Sequence, residues 1–385
     1  MSYDNRFPVT HVITGLGVGG AEMMLYKLLS VIDRKKYPPH VISLTDVGEI
    51  GKRISSLGIS VKSLGMKPGR FGFSDVERLV NLVRDQKPAV VQTWMYHADL
   101  MGGWAAKKAG SHNIAWNIRN STLDRKTSKA STMLIVRLCA LLSHSIPERI
   151  IVCSQAAADI HQKIGYNPRK MQVIPNGFDL STFKPDQTIG QILRKQLGLN
   201  PSVPVVGLAA RYDEQKDHPT FISSAGIILQ SIPETHFLLC GDGITSENSQ
   251  IVQQIKNTGH EGHFHLLGRQ TKMQEFHLAC NIAVSSSAYG ESFSNVLGEA
   301  MACGIPCVST RVGGVEEVLG NTGRIVPPHD PESLANAVIE ILQLPEQVRN
   351  EMGLAGRKRI VENFDINAIA RSYMQMWGEL SAANE

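Results

Sequence analysis

Residues 282–309 read IAVSSSAYGESFSNVLGEAMACGIPCVS, and they contain one complete repeat of the pattern that decides the fold. The short apolar run Ile282–Ser285 predicts a strand, and Val296–Met301 predicts a helix that opens directly after a polar, glycine-containing loop. A second apolar run, Pro306–Ser309, predicts the next strand. A strand, a helix and a strand in this order indicate a βαβ unit, whose two strands lie parallel in one sheet.

The same alternation runs through the whole chain. In its first half, strands are predicted at Val9–Ile13, His40–Leu44, Val90–Thr93, Asn113–Trp116 and Ile150–Val152. After the proline-punctuated stretch Lys184–Pro204 the pattern restarts, with further strands predicted at Val205–Ala209, His236–Cys240 and Phe264–Leu266. We therefore predict an α/β protein with two Rossmann-like parallel-sheet domains, residues 1–182 and 183–365. The helical pattern Ile366–Leu380 lies within residues 366–385. It either caps the second domain or packs back on the first domain, and we expect it to pack on the first domain.

Length and composition fit an ordinary two-domain protein. A chain of 385 residues is long for one core, and 42% apolar with 19% charged residues is a globular balance. The longest apolar-leaning run, Met133–Leu142, falls short of the ~18 residues that a membrane span needs. The N-terminal residues MSYDNRFP lack the basic and apolar regions of a signal peptide. We therefore expect a cytoplasmic protein whose six cysteines are reduced and buried.

The net charge of +4 hides an asymmetry between the two halves. Residues 1–182 carry 24 Lys and Arg against 13 Asp and Glu, and residues 183–385 carry 15 against 22. A basic half attached to an acidic half suggests that the first half meets something anionic. Nucleic acid, an anionic membrane surface and a phosphorylated acceptor all satisfy this condition, so charge alone does not choose among them.

One basic segment borders the apolar run Met133–Leu142. Against the single acid Asp124 it carries five cations, which are Arg119, Arg125, Lys126, Lys129 and Arg137. An ordinary helix with a solvated basic end is one interpretation. The other is a segment that lies on an anionic membrane surface, with its cations near the headgroups and its apolar residues at the boundary.

The first glycine-rich loop follows the first predicted strand and reads Gly15-Leu-Gly17-Val-Gly19-Gly20-Ala-Glu22. Glycines let the backbone approach a ligand closely, and the N–H groups at the start of the next helix attract an anion. The loop also matches the dinucleotide fingerprint G-x-G-x-x-G. Asp46 is only a loose match to the acidic residue that this fingerprint requires, so an NAD-dependent oxidoreductase stays a weak alternative.

A second site signal follows strand Val205–Ala209, where the chain reads Ala210-Arg211-Tyr-Asp-Glu-Gln-Lys216-Asp217. Open α/β sheets bind ligands beyond the carboxyl ends of their strands. Two cations at such a position can neutralise a diphosphate, with Arg211 as a fork and Lys216 as a point charge. A solvated turn whose acidic residues pair with both cations is an equally good interpretation of this motif alone.

The third signal is the loop within residues 282–309. Glu291 lies just before the predicted helix, whose N-terminus can bind an anion, and Glu299 lies inside the helix. The two carboxylates therefore occupy different depths of one cleft. One can accept hydrogen bonds from ribose hydroxyls while the other reaches the hydroxyls of a sugar.

These motifs resemble glycosyltransferase family 4, which has the two-domain GT-B fold with its domains facing across a cleft. The resemblance covers nearly the whole chain and rests on the Gly19–Glu22 loop, the Arg211…Lys216 pair and the Glu291-x7-Glu299 motif. Further matching segments are Ala300–Pro306, Val173–Asp179 and Thr310–Gly314. The stretch Gln92–Asp99 is most similar to bacterial enzymes that assemble exopolysaccharide, capsule or O-antigen.

The resemblance implies a role for each site residue. Arg211 and Lys216 would hold the donor diphosphate, Glu299 the ribose and Glu291 the transferred sugar. His97 would sit over the reacting centre from the first domain, with Arg119 on the acceptor side. The remaining donor-binding residues would be Gly19 and Gly20 at the sugar-phosphate, Gly268 and Arg269 at the base, and Ser292, Phe293, Ser294 and Asn295 around the diphosphate.

The resemblance also implies a mechanism. No Asp-x-Asp pair, the usual metal anchor of the other major glycosyltransferase fold, occurs in the sequence. Arg211, Lys216 and a helix N-terminus would therefore stabilise the leaving diphosphate without a metal or other cofactor. Family members retain the anomeric configuration, so we expect retention here.

We thus predict a metal-independent hexosyltransferase that uses a nucleotide diphosphate sugar, UDP rather than GDP. The acceptor would be a glycan or lipid-linked saccharide in bacterial surface polysaccharide synthesis, and the enzyme would be peripheral on the cell membrane. A sugar-nucleotide 2-epimerase of the same fold is the alternative. A nucleic-acid-binding protein is disfavoured, because no stacking aromatics interleave with the cations of the basic half.

Overall fold

The computed structural model describes residues 6–67, 72–120, 123 and 130–382, which form two compact units. Unit 1 comprises residues 1–177 and 366–385, and unit 2 comprises residues 178–365. The division thus lies a few residues before the expected boundary at 182. Each unit is an α/β domain around a parallel sheet, so the predicted fold class is confirmed.

Unit 1 contains a seven-stranded parallel sheet in the order β3-β2-β1-β4-β5-β6-β7. The strands are β1 (Val9–Ile13), β2 (Pro39–Ser43), β3 (Ser60–Ser63), β4 (Val90–Trp94), β5 (Ile114–Ile118), β6 (Arg149–Val152) and β7 (Met171–Val173). The helices between them are α1 (Gly20–Val31), α2 (Gly48–Ser56), α3 (Phe73–Gln86), α4 (Tyr96–Lys108), α5 (Ala130–Leu142) and α6 (Gln155–Ile164). Strands β1, β4 and β5 are buried along their whole length, and apolar residues make up most of each strand.

Unit 2 contains a six-stranded parallel sheet in the order β10-β9-β8-β11-β12-β13. Its strands are β8 (Val205–Ala209), β9 (His236–Cys240), β10 (Phe264–Leu266), β11 (Ile282–Ser285), β12 (Cys307–Thr310) and β13 (Arg324–Val326). Its helices are α7 (Gln187–Gln196), α8 (His218–Ser231), α9 (Ser249–Lys256), α10 (Met273–Ala279), α11 (Asn295–Ala302), α12 (Val315–Leu319), α13 (Pro331–Gln343) and α14 (Glu346–Asn363). A parallel bridge between Phe178 and Asp365 joins the two ends of the unit.

The last helix, α15 (Ile366–Ala382), belongs to unit 1. Its side chains Tyr373 and Trp377 are fully buried in the core beside β1 and β4. The Trp377 indole N–H donates to Oε1 of Gln92 at 2.7 Å, so the polar edge of this large ring is satisfied inside the core. The C-terminal segment is therefore an integral part of the N-terminal unit.

Three short strands carry no clear signal in the sequence. Strands β3, β7 and β13 are edge strands of three or four residues, and most of their side chains are only partly buried. An edge strand of this kind lacks the continuous apolar run that marks a central strand. The proline-punctuated stretch Lys184–Pro204, for which no helix was predicted, contains helix α7, which packs against α10.

All six cysteines are buried and none forms a disulfide, which confirms their predicted state. Burial raises the pKa of the thiols of Cys139, Cys240, Cys280, Cys303 and Cys307, so these groups stay protonated and unreactive. No helix among the residues that the structure describes is both long and apolar enough to cross a membrane.

Candidate active site

Each sheet has one point at which its strand order reverses, and the candidate residues collect there. In unit 1, β1 lies between β2 and β4, and in unit 2, β8 lies between β9 and β11. The loops that leave these neighbouring strands run to opposite faces of the sheet and open a crevice at the carboxyl edge. The loops after β8 and β11 in unit 2 carry Arg211, Lys216 and Glu291.

The loop after β8 is built around a single 3-10 turn, Glu214–Lys216, which Asp213 caps through its carboxylate. The next residue, Asp217, has a left-handed φ of 46° and caps α8 through the N–H and hydroxyl of Thr220. His329, which also has a positive φ of 58°, places its Nδ1 2.9 Å from the same carboxylate. Non-glycine residues with positive φ are uncommon and cluster at functional sites.

The two cations of this loop have different environments. Arg211 is more than half exposed, and its Nε lies 3.2 Å from the carboxylate of Asp213. Lys216 is 19% exposed, and its Nζ lies 2.5 Å from Oε2 of Glu291, which is 11% exposed. Of the two cations, only Arg211 therefore pairs with an acidic residue of the same loop. Lys216 instead forms an ion pair with a residue 75 positions away.

Two neighbours hold the Glu291 end of this ion pair. The hydroxyl of Ser287 donates to Oε2 of Glu291 at 3.1 Å. The carbonyl oxygen of Glu291 accepts a hydrogen bond from the N–H of Gly314 at 3.0 Å. Gly313 has a φ of +58°, and a Cβ atom added there would lie 1.7 Å from that carbonyl oxygen. Only glycine fits at position 313 without displacing the site loop.

Helix α11 begins beside these residues. Ser292 and Ser294 are buried, and Phe293 packs against the rings of Phe178 and Phe364 at centroid distances of 6.1 and 5.5 Å. This packing fixes the loop that leads into the helix. Within the described residues, the side chain of the N-cap Ser294 makes no capping hydrogen bond. The N–H groups at the start of a helix attract an anion.

Glu299 lies one turn further along α11, and its side chain is 13% exposed. Its Oε2 is 3.9 Å from Nε2 of His277, a fully buried histidine of α10. The sequence pattern did not identify His277, because a histidine within a short amphipathic helix carries no signal of its own. Only the packing of α10 against α11 places it beside Glu299.

Gly268 and Arg269 follow the carboxyl end of β10, on the same edge of the sheet as the loop after β8. Gly268 has a positive φ of 62°, and its carbonyl oxygen accepts a hydrogen bond from Gly241 at 2.9 Å. The Arg269 side chain lies 4.0 Å from the carboxylate of Asp242. The turn is thus fixed by its backbone, while the Arg269 side chain remains on the surface.

In unit 1, the candidate residues follow the adjacent strands β1 and β4. Gly19 and Gly20 form the entry to α1, whose first turn contains the carboxylate of Glu22 with a pKa raised by burial. Met95 lies between β4 and α4 and is the N-cap of α4. It has an unusual backbone conformation, φ 71° and ψ 156°, and His97 follows in the first turn of the helix. Burial lowers the pKa of His97, so its ring is neutral at pH 7.

Arg119 follows β5 and is bound by neutral groups from three parts of unit 1. Its guanidinium donates to Oδ1 of Asn117 at 2.8 Å, to Oδ1 of Asn176 at 2.6 Å and to the hydroxyl of Tyr373. It also lies over the Trp94 ring at 5.5 Å. Burial lowers its pKa to about 10. No carboxylate pairs with Arg119 among the described residues, so it stays a charged centre able to attract an anion.

The basic segment proposed to meet a membrane is described only in part. Arg125, Lys126 and Lys129 lie outside the described residues. Helix α5, which follows them, exposes a stripe of three leucines, Leu134, Leu138 and Leu141, with exposures of 61%, 41% and 71%. Their spacing places them on one side of the helix. We call these three residues the α5 leucine stripe.

No group of three or more His, Cys, Asp or Glu side chains in the described part of the chain has the geometry to hold a metal ion. The site residues described above are cations, carboxylates and residues at a helix N-terminus. Cations can bind an anionic group, and carboxylates can accept hydrogen bonds from hydroxyls.

A solved structure has the same fold. HepE of Anabaena, in a crystal structure with UDP, matches with a TM-score of 0.86 at 22% identity, over 97% of this chain and 100% of that one. These two parallel-sheet domains have the GT-B fold. Residues 18–182 match the family model Glycosyltransferase Family 4, and residues 191–359 match Glycosyl transferases group 1. The chain belongs to glycosyltransferase family 4.

Curated relatives are bacterial enzymes. The N-acetyl-alpha-D-glucosaminyl L-malate synthase of Bacillus anthracis is 31% identical over 218 residues, 56% of this chain and 55% of that enzyme. The UDP-Gal:alpha-D-GlcNAc-diphosphoundecaprenol alpha-1,3-galactosyltransferase of Escherichia coli is 26% identical over 293 residues, 75% and 74% of the two chains. The matched region thus spans about half of the first relative and three quarters of the second.

Proposed function

We propose that this glycosyltransferase moves a hexose from a UDP-sugar to a glycan or lipid-linked saccharide acceptor, with retention of configuration, in the synthesis of a bacterial surface polysaccharide. The observation that carries the donor assignment is the ion pair between Lys216 and Glu291 at the switch point of unit 2, with Arg211 on the same loop as Lys216. UDP is favoured over GDP because the E. coli relative uses UDP-galactose and HepE binds UDP. Retention rests on family membership.

Within this proposal the donor lies along the crevice of unit 2. Arg211 and Lys216 hold the diphosphate, together with the backbone amides of Ser292 to Ser294. Glu299 accepts hydrogen bonds from the ribose, and Glu291 from the transferred sugar. Because Lys216 already pairs with Glu291, donor binding has to share or replace that ion pair.

We propose that the leaving diphosphate is stabilised by these cations and the α11 N-terminus, without a metal ion. Charged donors aimed at a developing charge stabilise the transition state. Chelation by EDTA should then leave the rate of transfer unchanged. A rate abolished by EDTA and restored by Mg²⁺ would show that a metal is required.

On the acceptor side we assign His97 and Arg119. Arg119 is a partly buried cation among neutral partners, so an anionic acceptor group would supply a counter-charge. The two curated relatives carry anionic acceptors in their names, L-malate and a diphosphoundecaprenol-linked sugar. A lipid-linked saccharide diphosphate satisfies this chemistry.

The α5 leucine stripe supports attachment to the membrane that would hold such an acceptor. Three exposed leucines next to a basic segment match an interfacial helix, and each Lys or Arg near an anionic surface adds about 1 kcal/mol. Vesicles rich in anionic lipid should sediment the protein at low salt. Changing the stripe to serine should abolish sedimentation, whereas Leu354→Ser, an exposed leucine of unit 2, should not. A wild-type protein that ignores anionic vesicles would remove this part of the proposal.

A binding panel tests the donor assignment. UDP, GDP and their common sugar conjugates are titrated against the protein by calorimetry and by thermal shift. A nucleotide at ~100 times its Kd adds about 2.7 kcal/mol of stability, which is readily visible. Release of free UDP in the presence of an acceptor then distinguishes a transferase from a 2-epimerase. The donor assignment is wrong if no uridine or guanosine diphosphate binds.

A further inference from the structure

His277 is a buried residue that the roles assigned above do not use. It has 0% exposure, and neither ring nitrogen has a hydrogen-bond partner among the described residues. Leaving a buried donor or acceptor unsatisfied is costly, and the few such groups in folded proteins usually serve a specific purpose. The imidazole is therefore a candidate for a contact that forms in another state of the enzyme.

The surroundings of His277 point to Glu299 as its partner. Nε2 of His277 lies 3.9 Å from Oε2 of Glu299, just outside hydrogen-bond range. The rings of Phe183 and Phe276 pack against the imidazole at 63° and 79°, with centroid distances of 6.3 and 5.6 Å. Apolar rings on these sides leave the carboxylate as the polar group that the imidazole can reach.

We propose that His277 is a positioning residue for nucleotide binding: its Nε2–H donates to Oε2 of Glu299 and turns the second carboxylate oxygen towards the ribose hydroxyls. A movement of about 1 Å by the Glu299 side chain brings the two atoms to hydrogen-bond distance. Both the neutral Nε2–H tautomer and the imidazolium can make this donation. The inference rests on the proposed function, because that function assigns Glu299 to the ribose.

Ribose discrimination tests the inference directly. The Kd values of UDP, 2′-deoxy-UDP and 3′-deoxy-UDP are measured by calorimetry for the wild type and for each variant. A hydrogen bond to a charged carboxylate should make the wild type prefer UDP over one deoxy analogue by about 10- to 100-fold. Glu299→Gln should remove most of this preference. His277→Phe, which keeps an aromatic ring but removes both nitrogens, should reduce it about 3- to 10-fold.

Three further variants separate positioning from simple stability. His277→Gln keeps an N–H donor and should restore much of the preference. Phe183→Leu loosens the same packing without removing a donor, so it should lower the Tm and keep the preference. Combining His277→Phe with Glu299→Gln should have no larger effect than Glu299→Gln alone, because the two residues act through one contact.

The outcomes are distinguishable. The inference is overturned if folded His277→Phe prefers UDP over the deoxy analogues as strongly as the wild type does. If His277→Phe does not fold, His277→Leu is measured in its place. Equal Kd values of the wild type for UDP, 2′-deoxy-UDP and 3′-deoxy-UDP overturn both the inference and the ribose role of Glu299. A wild type that binds no nucleoside diphosphate overturns the proposed function itself.

Discussion

The ion pair between Lys216 and Glu291 makes an unusual prediction about nucleotide affinity. Without donor, Lys216 is neutralised by a carboxylate 2.5 Å away, yet the proposed function requires the same ammonium group to bind a diphosphate. Glu291→Gln removes the competing charge and leaves a neutral side chain of nearly the same shape. UDP, which lacks the sugar that Glu291 would bind, should therefore bind this variant more tightly than the wild type.

The size of the effect follows from the burial of the pair. Exposed ion pairs contribute about 0.2–1 kcal/mol, and removing one partner of a fully buried pair costs about 3–5 kcal/mol. With exposures of 19% and 11%, this pair lies between the two cases, at about 1–2 kcal/mol. The Kd for UDP should fall about 5- to 30-fold, while transfer from the UDP-sugar is damaged.

Calorimetric titration of UDP into both proteins measures this change. Thermal unfolding provides the control, because the unpaired Lys216 should lower the stability of the free variant by a similar amount. Lys216→Met should weaken UDP binding instead. An unchanged or weaker affinity for UDP in folded Glu291→Gln would refute the idea that the carboxylate and the diphosphate compete for one cation.

Three other substitutions test separate parts of the molecule. Arg211→Ala should reduce the rate of transfer about 10²- to 10³-fold with the fold intact, as measured by UDP release, and a wild-type rate would remove Arg211 from the mechanism. Gly313→Ala should lower both the Tm and UDP affinity, because its Cβ would collide with the Glu291 carbonyl, whereas Gly17→Ala, which has open space, should not lower the Tm by more than 1–2 °C. Burial raises the pKa of Asp99 from 3.8 to about 8. At a pH between these two values, the Asp99 carboxyl is therefore protonated in the folded state and ionised in the unfolded state. Stability should therefore fall by up to about 1.4 kcal/mol per pH unit as pH rises from 4 to 8, and Asp99→Asn should flatten that slope in thermal melts.

Many features of the site follow from local chemistry and could be predicted from the sequence. Strands β1, β8, β9, β10 and β11 agree with the predicted bounds, because each is a short segment rich in apolar residues between polar loops. The loops after β8 and β11 could be placed at one edge because parallel strands share the direction of their carboxyl ends. The roles of Arg211, Lys216, Glu291 and Glu299 stay predictions until nucleotide binding is measured.

Contacts between distant residues could not be predicted in this way. Acidic residues next to Arg211 and Lys216 suggested local pairing, and only the adjacency of β8 and β11 brings Lys216 to Glu291. Likewise, the packing of α10 on α11 places His277 beside Glu299. Neither contact has a pattern within its own segment.

Residue patterns within short segments were enough to predict the class of fold, the family and the loops that carry Arg211, Lys216 and Glu291, because each depends on residue types within a few positions of one another. The tertiary structure alone decided which charges neutralise each other. It also showed that Tyr373 of α15 meets Arg119 and Asn117 in unit 1. The physical reason is that an ion pair or buried hydrogen bond depends on distance in space, and chain folding sets that distance independently of separation along the sequence.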